Sequence, residues 1–406
     1  MRSMRLPITY SNIVNTLLLL FPIGILILKG FGDFVLLSLA ILGLYTAISE
    51  KKSPFKIKEL KLFSWITTVY FLVMLFSILY ADGWSAEFHH LGRKLHFLLA
   101  PLIALAIFQI DLPLKKLLLS IKTGLIIAGI VVITQFLLGL VRPSSVINAN
   151  IFGDIVVAML FLSIVQVFSE KPKERVVTFI AILAGISAIL LSANRGSWMS
   201  FLILSIIYIS LIYKPFLKNN SKRQLFLVLF FSIMFGFINT QTNVGKRIND
   251  TVANVQKWYS GGGSPTSVGL RMEMWKAGLS VSKQSLWFGY GYKNANKVVS
   301  EYASNNKDRI KVFTHLHNEY ITNLLSAGVV GLLSLLSLLF APLRVFIKKL
   351  SNKNTYTYSF MGILLCIGYV TFGFTHVAFG DKYVNAFYVL FMSFLLPRTI
   401  KNNDTS

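Results

Sequence analysis

Apolar runs punctuated by short polar stretches recur along almost the whole chain. A helix needs roughly 20 mostly apolar residues to cross the hydrocarbon core of a bilayer. On that basis the pattern predicts twelve spans, near 11–28, 31–48, 62–80, 95–110, 117–141, 151–168, 176–193, 198–213, 224–240, 320–343, 357–377 and 382–397. Three of them, 95–110, 198–213 and 382–397, are short for the task. The one long interruption, between the ninth and tenth runs, contains two amphipathic stretches. Val244, Ile248, Val252 and Val255 repeat at helical spacing in the first, and Leu270, Met274, Ala277 and Val281 in the second. GGGSPTSVG at 261–269 breaks the chain between them. The second stripe is expected to pack against the membrane helices.

Composition agrees with this reading. Of 406 residues 54% are hydrophobic and only 14% charged, with a mean hydropathy of +0.64. A soluble domain carries about 25% charged residues. A disulfide framework is excluded because Cys366 is the only cysteine. The expected fold is therefore an all-α polytopic membrane protein of about twelve transmembrane helices. Residues 1–239 supply spans one to nine, 240–319 one large helical loop, and 320–406 the last three spans with a tail.

The net charge of +24 changes the picture by giving a direction. With the N-terminus in the cytoplasm, 23 Lys and Arg fall on the cytoplasmic side, 6 in short outer loops and 11 in the long loop. Long loops are largely exempt from the positive-inside bias, so both termini are read as cytoplasmic and the long loop as external. The first run lacks a small-x-small cleavage site and is read as a retained span. No Walker A loop, dinucleotide-binding glycine turn or CxxC pair is present. Nucleic acid is not an expected partner, since loop charge at a membrane accounts for the basic balance.

Candidate chemistry collects on the outer side. All six histidines (His89, His90, His96, His315, His317 and His376) fall at or near that boundary. From Val176 to Tyr213 the only charge is Arg195. Two spans use up that length, so Asn194-Arg195-Gly196 must be a tight turn at the membrane edge. An arginine there is costly unless it meets an anion or a wet cavity, or snorkels to lipid headgroups. Arg271 opens the second amphipathic stretch off its apolar stripe, where an ordinary exposed arginine is the plain alternative. In THLHNEY, His317 and Asn318 immediately precede the tenth span and Glu319 stands at its lip. A helix N-terminus favours anions, and a histidine can serve as general base; helix capping is the plain alternative. The HxH pair lacks an evident third ligand for a metal.

The order of these features is an arginine in an outer turn, a large outer loop with a second arginine, then H-N-E before a late span. It resembles the O-antigen ligase and polymerase superfamily of bacterial envelope glycosyltransferases. GLRMEMWKAGL followed by HLHNE is most similar to the O-antigen ligases of lipopolysaccharide assembly. The resemblance implies a GT-C-like membrane glycosyltransferase in the Gram-negative inner membrane, working on the periplasmic face without metal or other cofactor. Its donor would be O-antigen on undecaprenyl pyrophosphate, and its acceptor the lipid A-core oligosaccharide. By the same resemblance Arg195 and Arg271 match the essential arginines and His317 the essential histidine. Lys94 or Arg93, in HHLGRKLHF, matches a basic residue at the outer end of an early span, while Asn318 and Glu319 flank the substrate, Glu319 as the fallback base. Asn148 to Gly153 (NANIFG) occupies an outer turn to which no role is given. An O-antigen polymerase, a protein-glycosylating oligosaccharyltransferase and, from another class, a lipid-linked glycan transporter remain the alternatives.

Overall fold

The computed structural model describes residues 8–80, 84–212, 266–303, 307–313 and 315–401, with a few positions between 221 and 260; side chains of 84–89 fall outside this set. Its helices are α1 (Ile8–Gly24), α2 (Phe31–Ser49), α3 (Lys58–Tyr80), α4 (Trp84–Phe108), α5 (Leu114–Leu137), α6 (Ala149–Ser163), α7 (Pro172–Leu191) and α8 (Arg195–Ile212). After the long interruption come α9 (Ser267–Ser282), α10 (Tyr292–Tyr302), α11 (Lys307–Lys311), α12 (Glu319–Lys349), α13 (Tyr356–Thr375) and α14 (Lys382–Lys401). Among the described residues ten helices are long and apolar enough to cross a membrane. The 17 residues of α1 match the first expected span. The ninth, 224–240, and most of the first amphipathic stretch lie outside the described residues.

Several boundaries differ from the hydropathy reading by a few residues, and at two helices the packing supplies a physical reason. Helix α4 begins at Trp84, eleven residues ahead of its apolar run, because the polar HHLGRK segment continues the helix beyond the apolar zone. Helix α14 runs to Lys401, and 89% of its apolar window is buried inside the protein. This least apolar of the ten candidates needs no lipid-facing surface: it is the axis of the bundle, packed on α2, α3, α4, α6, α12 and α13. Its small and polar positions, such as Asn385 and Ser393, are fully buried against those neighbours.

Helix α12 is broken at Ala327 and Gly328, where Gly328 takes φ 66° and ψ −160°. Open backbone at membrane depth is tolerated only where the protein itself satisfies it, and here the loop after α9 does so. Tyr290 N donates to Leu325 O at 2.7 Å, Gly291 N to Ser326 O at 2.9 Å, and Val329 N to Leu286 O at 2.7 Å. The Ser77 hydroxyl adds a bond to Ser326 O at 2.5 Å. The two backbones lie so close that a Cβ on Gly328 would stand 2.1 Å from Trp287 O. The loop after α9 is thereby clamped to the helix that follows the His-Asn-Glu motif. A second, small core cements the clamp. Leu270, Met274, Ala277 and Val281 are all buried there with Val299 and Ile310, against Leu316, Ile321 and Leu325. The expected packing of the second stripe is what forms.

Candidate active site

Three chain segments meet at one end of the bundle. The first is the turn between α7 and α8, whose tightness comes from Ala193 in the left-handed region, φ 52°. Asn194 organises it: Oδ1 accepts from Gly196 N at 3.1 Å, and Nδ2 donates to Asn150 O at 3.2 Å and to Ser197 Oγ at 2.5 Å. Ser197 in turn donates to the buried carboxylate of Asp154 at 2.8 Å. Arg142 joins from the loop between α5 and α6, donating through Nη2 to Asn150 Oδ1 at 3.2 Å. The NANIFG turn, to which the sequence reading gave no role, is thus the seat of the Arg195 turn. Asn148 caps α6 by accepting from Asn150 N. Glycine is required on both sides of the contact. A Cβ on Gly153 would lie 2.4 Å from Ser197 Oγ, and one on Gly196 would lie 2.3 Å from Thr375 Oγ1. The turn that carries Arg195 therefore packs through Gly196 on Thr375, the last residue of α13 and the one before His376.

The second segment is 315–319. The Leu316 side chain is buried in the small core, and its carbonyl accepts from Trp275 Nε1 at 2.9 Å. Asn318 caps α12, its Oδ1 accepting from Ile321 N at 3.0 Å. Between these two anchors His317 is held at φ 52°, a conformation disfavoured outside glycine that persists only where the surroundings impose it. Its ring lies 4.3 Å from that of His315 and 5.6 Å from that of Phe313. His315 is 6.0 Å from His376. Nδ1 of His317 and Nδ1 of His376 are buried without a hydrogen bond among the described residues.

The third segment is the first turn of α9, capped by Thr266, which brings in Arg271. Burial, and then the charges of Arg195 and Arg142, hold the Arg271 guanidinium below its ordinary value. Burial, with His315 and Arg271, pushes His317 down to about 3. His376 is pushed down to about 3 by burial and the same two neighbours. His315 is lowered by burial, Arg271 and Arg93. The physical content is simple: cations surround neutral imidazoles in a partly desolvated site, an arrangement built to receive negative charge. Among the described residues no group of three His, Cys, Asp or Glu side chains is disposed to hold a metal ion.

Of the seven residues singled out from sequence, the structure brings together Arg195, Arg271, His317 and the capping Asn318. Arg93 stands beside them, donating through Nη1 to Gly380 O at 3.2 Å and sensed electrostatically by His315. Lys94 and Glu319 are elsewhere. Both are buried, at 5% and 2% exposure, in a polar network beneath the histidines. Lys94 Nζ donates to Tyr70 Oη at 2.7 Å, and Tyr70 donates to Asn323 Oδ1 at 3.4 Å. Asn323 Nδ2 donates to Glu319 Oε1 at 2.6 Å. The other carboxylate oxygen accepts from Phe379 N at 2.9 Å. Glu319 thus faces inward with both oxygens engaged, holding the 376–381 connection that carries His376, rather than standing free at the lip of the helix. Sequence reasoning gave no site role to Arg142, His315, His376, Tyr70 or Asn323. Only the two histidines carried any signal, their place at the outer boundary.

An uncharacterised protein of Haemophilus influenzae is 28% identical over 380 residues, spanning 90% of this chain and 93% of that protein. A family model described as O-antigen ligase matches residues 179–336, the stretch from α7 into α12 that contains Arg195, Arg271 and His317. Residues 179–336, in a chain with ten membrane-length helices among its described residues, are thus similar to the O-antigen ligase family.

Proposed function

We propose that this chain is an O-antigen ligase. It acts as a metal-independent, inverting glycosyltransferase that moves O-antigen polysaccharide from undecaprenyl pyrophosphate to the lipid A-core oligosaccharide at the periplasmic face of the inner membrane. The observation that carries this reading is the meeting of Arg195, Arg271 and His317, from three distant segments, at one end of a membrane bundle. Arg195 and Arg271 grip the diphosphate through charge-assisted, bidentate hydrogen bonds. The acceptor hydroxyl oxygen forms a bond to the anomeric carbon as that carbon's bond to the phosphate oxygen breaks. Undecaprenyl diphosphate leaves with the electron pair, and its growing charge falls where the guanidinium groups are already oriented. The hydroxyl proton passes to His317, whose surroundings keep it in the neutral, accepting form. Burial is the main reason this imidazole is a weak base, with neighbouring positive charge second; bound diphosphate offsets that second contribution. Arg93 flanks the anion site. Lys94 and Glu319 act as positioning residues through Tyr70, Asn323 and the 376–381 connection.

The test is the lipopolysaccharide profile of cells lacking this protein, complemented with wild type, His317→Ala or Arg271→Ala. Wild type should restore a ladder of O-antigen on lipid A-core, while each variant leaves long polymer on undecaprenyl pyrophosphate. Single repeats on the carrier would identify a polymerase instead. Donor trapped on the cytoplasmic side would identify a transporter. A full ladder from His317→Ala would remove that residue as base.

A further inference from the structure

At the end of the bundle opposite the histidine cluster, the first turns of α5 and α7 enclose a cavity of about 450 Å³, floored by the connection after α6. Its mouth carries Lys115, Lys116 and Lys173 and its interior Lys122, while Leu119 and Val177 line its sides. Two carboxylates accompany these four lysines, and both are committed. Glu170 is withdrawn into a buried ion pair with Lys122 and accepts from the Thr178 hydroxyl at 2.5 Å. Glu174 accepts from Lys171 N at 3.1 Å and reaches Lys115 at 3.9 Å. Lys116 and Lys173 make no ion pair among the described residues. The start of α5 has Pro113 at its cap position and no side-chain cap, so its first N–H groups and dipole add to the positive potential at the mouth. Positive-inside topology explains lysines at this boundary. It does not explain a hollow between two helices with paired charges at the bottom, two lysines without an ion pair among the described residues at the rim, and apolar walls.

The geometry points to a binding site for an anionic diacyl phospholipid of the adjoining leaflet, its phosphate held by Lys116 and Lys173 and its first acyl methylenes against Leu119 and Val177. A basic pocket between membrane helices suits such a headgroup. The cavity is also larger than a bare phosphate needs. The site is separate from the proposed transfer chemistry and stands whether or not that reading holds.

The experiment uses the full chain purified in neutral detergent, with lipid retention read by native mass spectrometry. Dioleoyl phosphatidylglycerol, dioleoyl phosphatidylcholine and inorganic phosphate are the probes. Wild type should retain phosphatidylglycerol in preference to phosphatidylcholine. The Lys116→Gln/Lys173→Gln double variant should lose roughly 30-fold in affinity, since each lysine near the surface contributes about fivefold. Lys348→Gln/Lys349→Gln, at the end of α12, should leave retention unchanged. Equal loss in that control would show diffuse charge attraction and overturn the site. Inorganic phosphate binding as well as phosphatidylglycerol would overturn the lipid assignment. Unchanged retention in the Lys116/Lys173 variant would overturn both.

Discussion

Glu319 offers the sharpest separation between a catalytic group and a group that holds the site together. Its two carboxylate oxygens accept from Asn323 and from the Phe379 backbone, and its charge is felt by buried Lys94. Glu319→Gln keeps the shape but turns an NH₂ group toward one of those two donors. That leaves a buried donor unsatisfied, at about 1–3 kcal/mol, and removes the charge that compensates Lys94. Lys94 and Glu319 are joined through Tyr70 and Asn323, so this second cost falls below the about 3–5 kcal/mol of breaking a directly contacting buried ion pair. Lys94→Met should destabilise comparably by stranding the carboxylate. The double variant Glu319→Gln/Lys94→Met removes both charges, so its loss should fall short of the summed single losses by about 2 kcal/mol or more, within the range of coupled neighbours. The assay is reversible unfolding of the detergent-solubilised protein for all four members of the cycle, with glycan transfer measured in parallel. Additivity within about 0.5 kcal/mol would refute the coupling through Tyr70 and Asn323. A double variant that regains stability but makes no product would refute the positioning role and return Glu319 to the list of bases.

His317 and His376 are held neutral in the folded protein with values pushed down to about 3, below the unfolded value of about 6.5. The unfolded chain therefore binds more protons between these limits. Stability should fall as pH drops below about 6.5, by about 1.4 kcal/mol per pH unit for each histidine. Thermal melting from pH 7.5 to 4 should show that slope, and a His376→Gln variant with an unchanged slope would contradict it. Gly196→Ala forces a methyl toward Thr375 Oγ1 and should cost about 1–3 kcal/mol; Thr375→Ala in the same chain should recover part of it, as read by the melting temperature. Gly328→Ala meets backbone rather than side chain and sits at φ +66°, so no second-site truncation should rescue its folded yield, measured by size-exclusion chromatography.

Apolar run length carried the order and rough limits of the described membrane-length helices, because a bilayer imposes its thickness on every span. The stripe through Leu270, Met274, Ala277 and Val281 was equally legible, since helical spacing alone puts those residues on one face. The position of α14 was not legible, because hydropathy measures apolar length and says nothing about whether lipid or protein surrounds a helix. Arg195 and His317 were visible as expensive or reactive residues at a boundary. Their meeting with Arg271 depends on backbone contacts no local pattern encodes, between the Gly289 loop and the break at Gly328, and between Gly196 and Thr375. The same holds for Glu319, which sequence puts at the first position of a helix but whose orientation is set by Asn323 and Phe379. Local periodicity and apolar length determine which elements form. The register at which distant helices touch is decided by close-packed, mutually exclusive contacts, and only that register brings Arg195, Arg271 and His317 together from three separate segments.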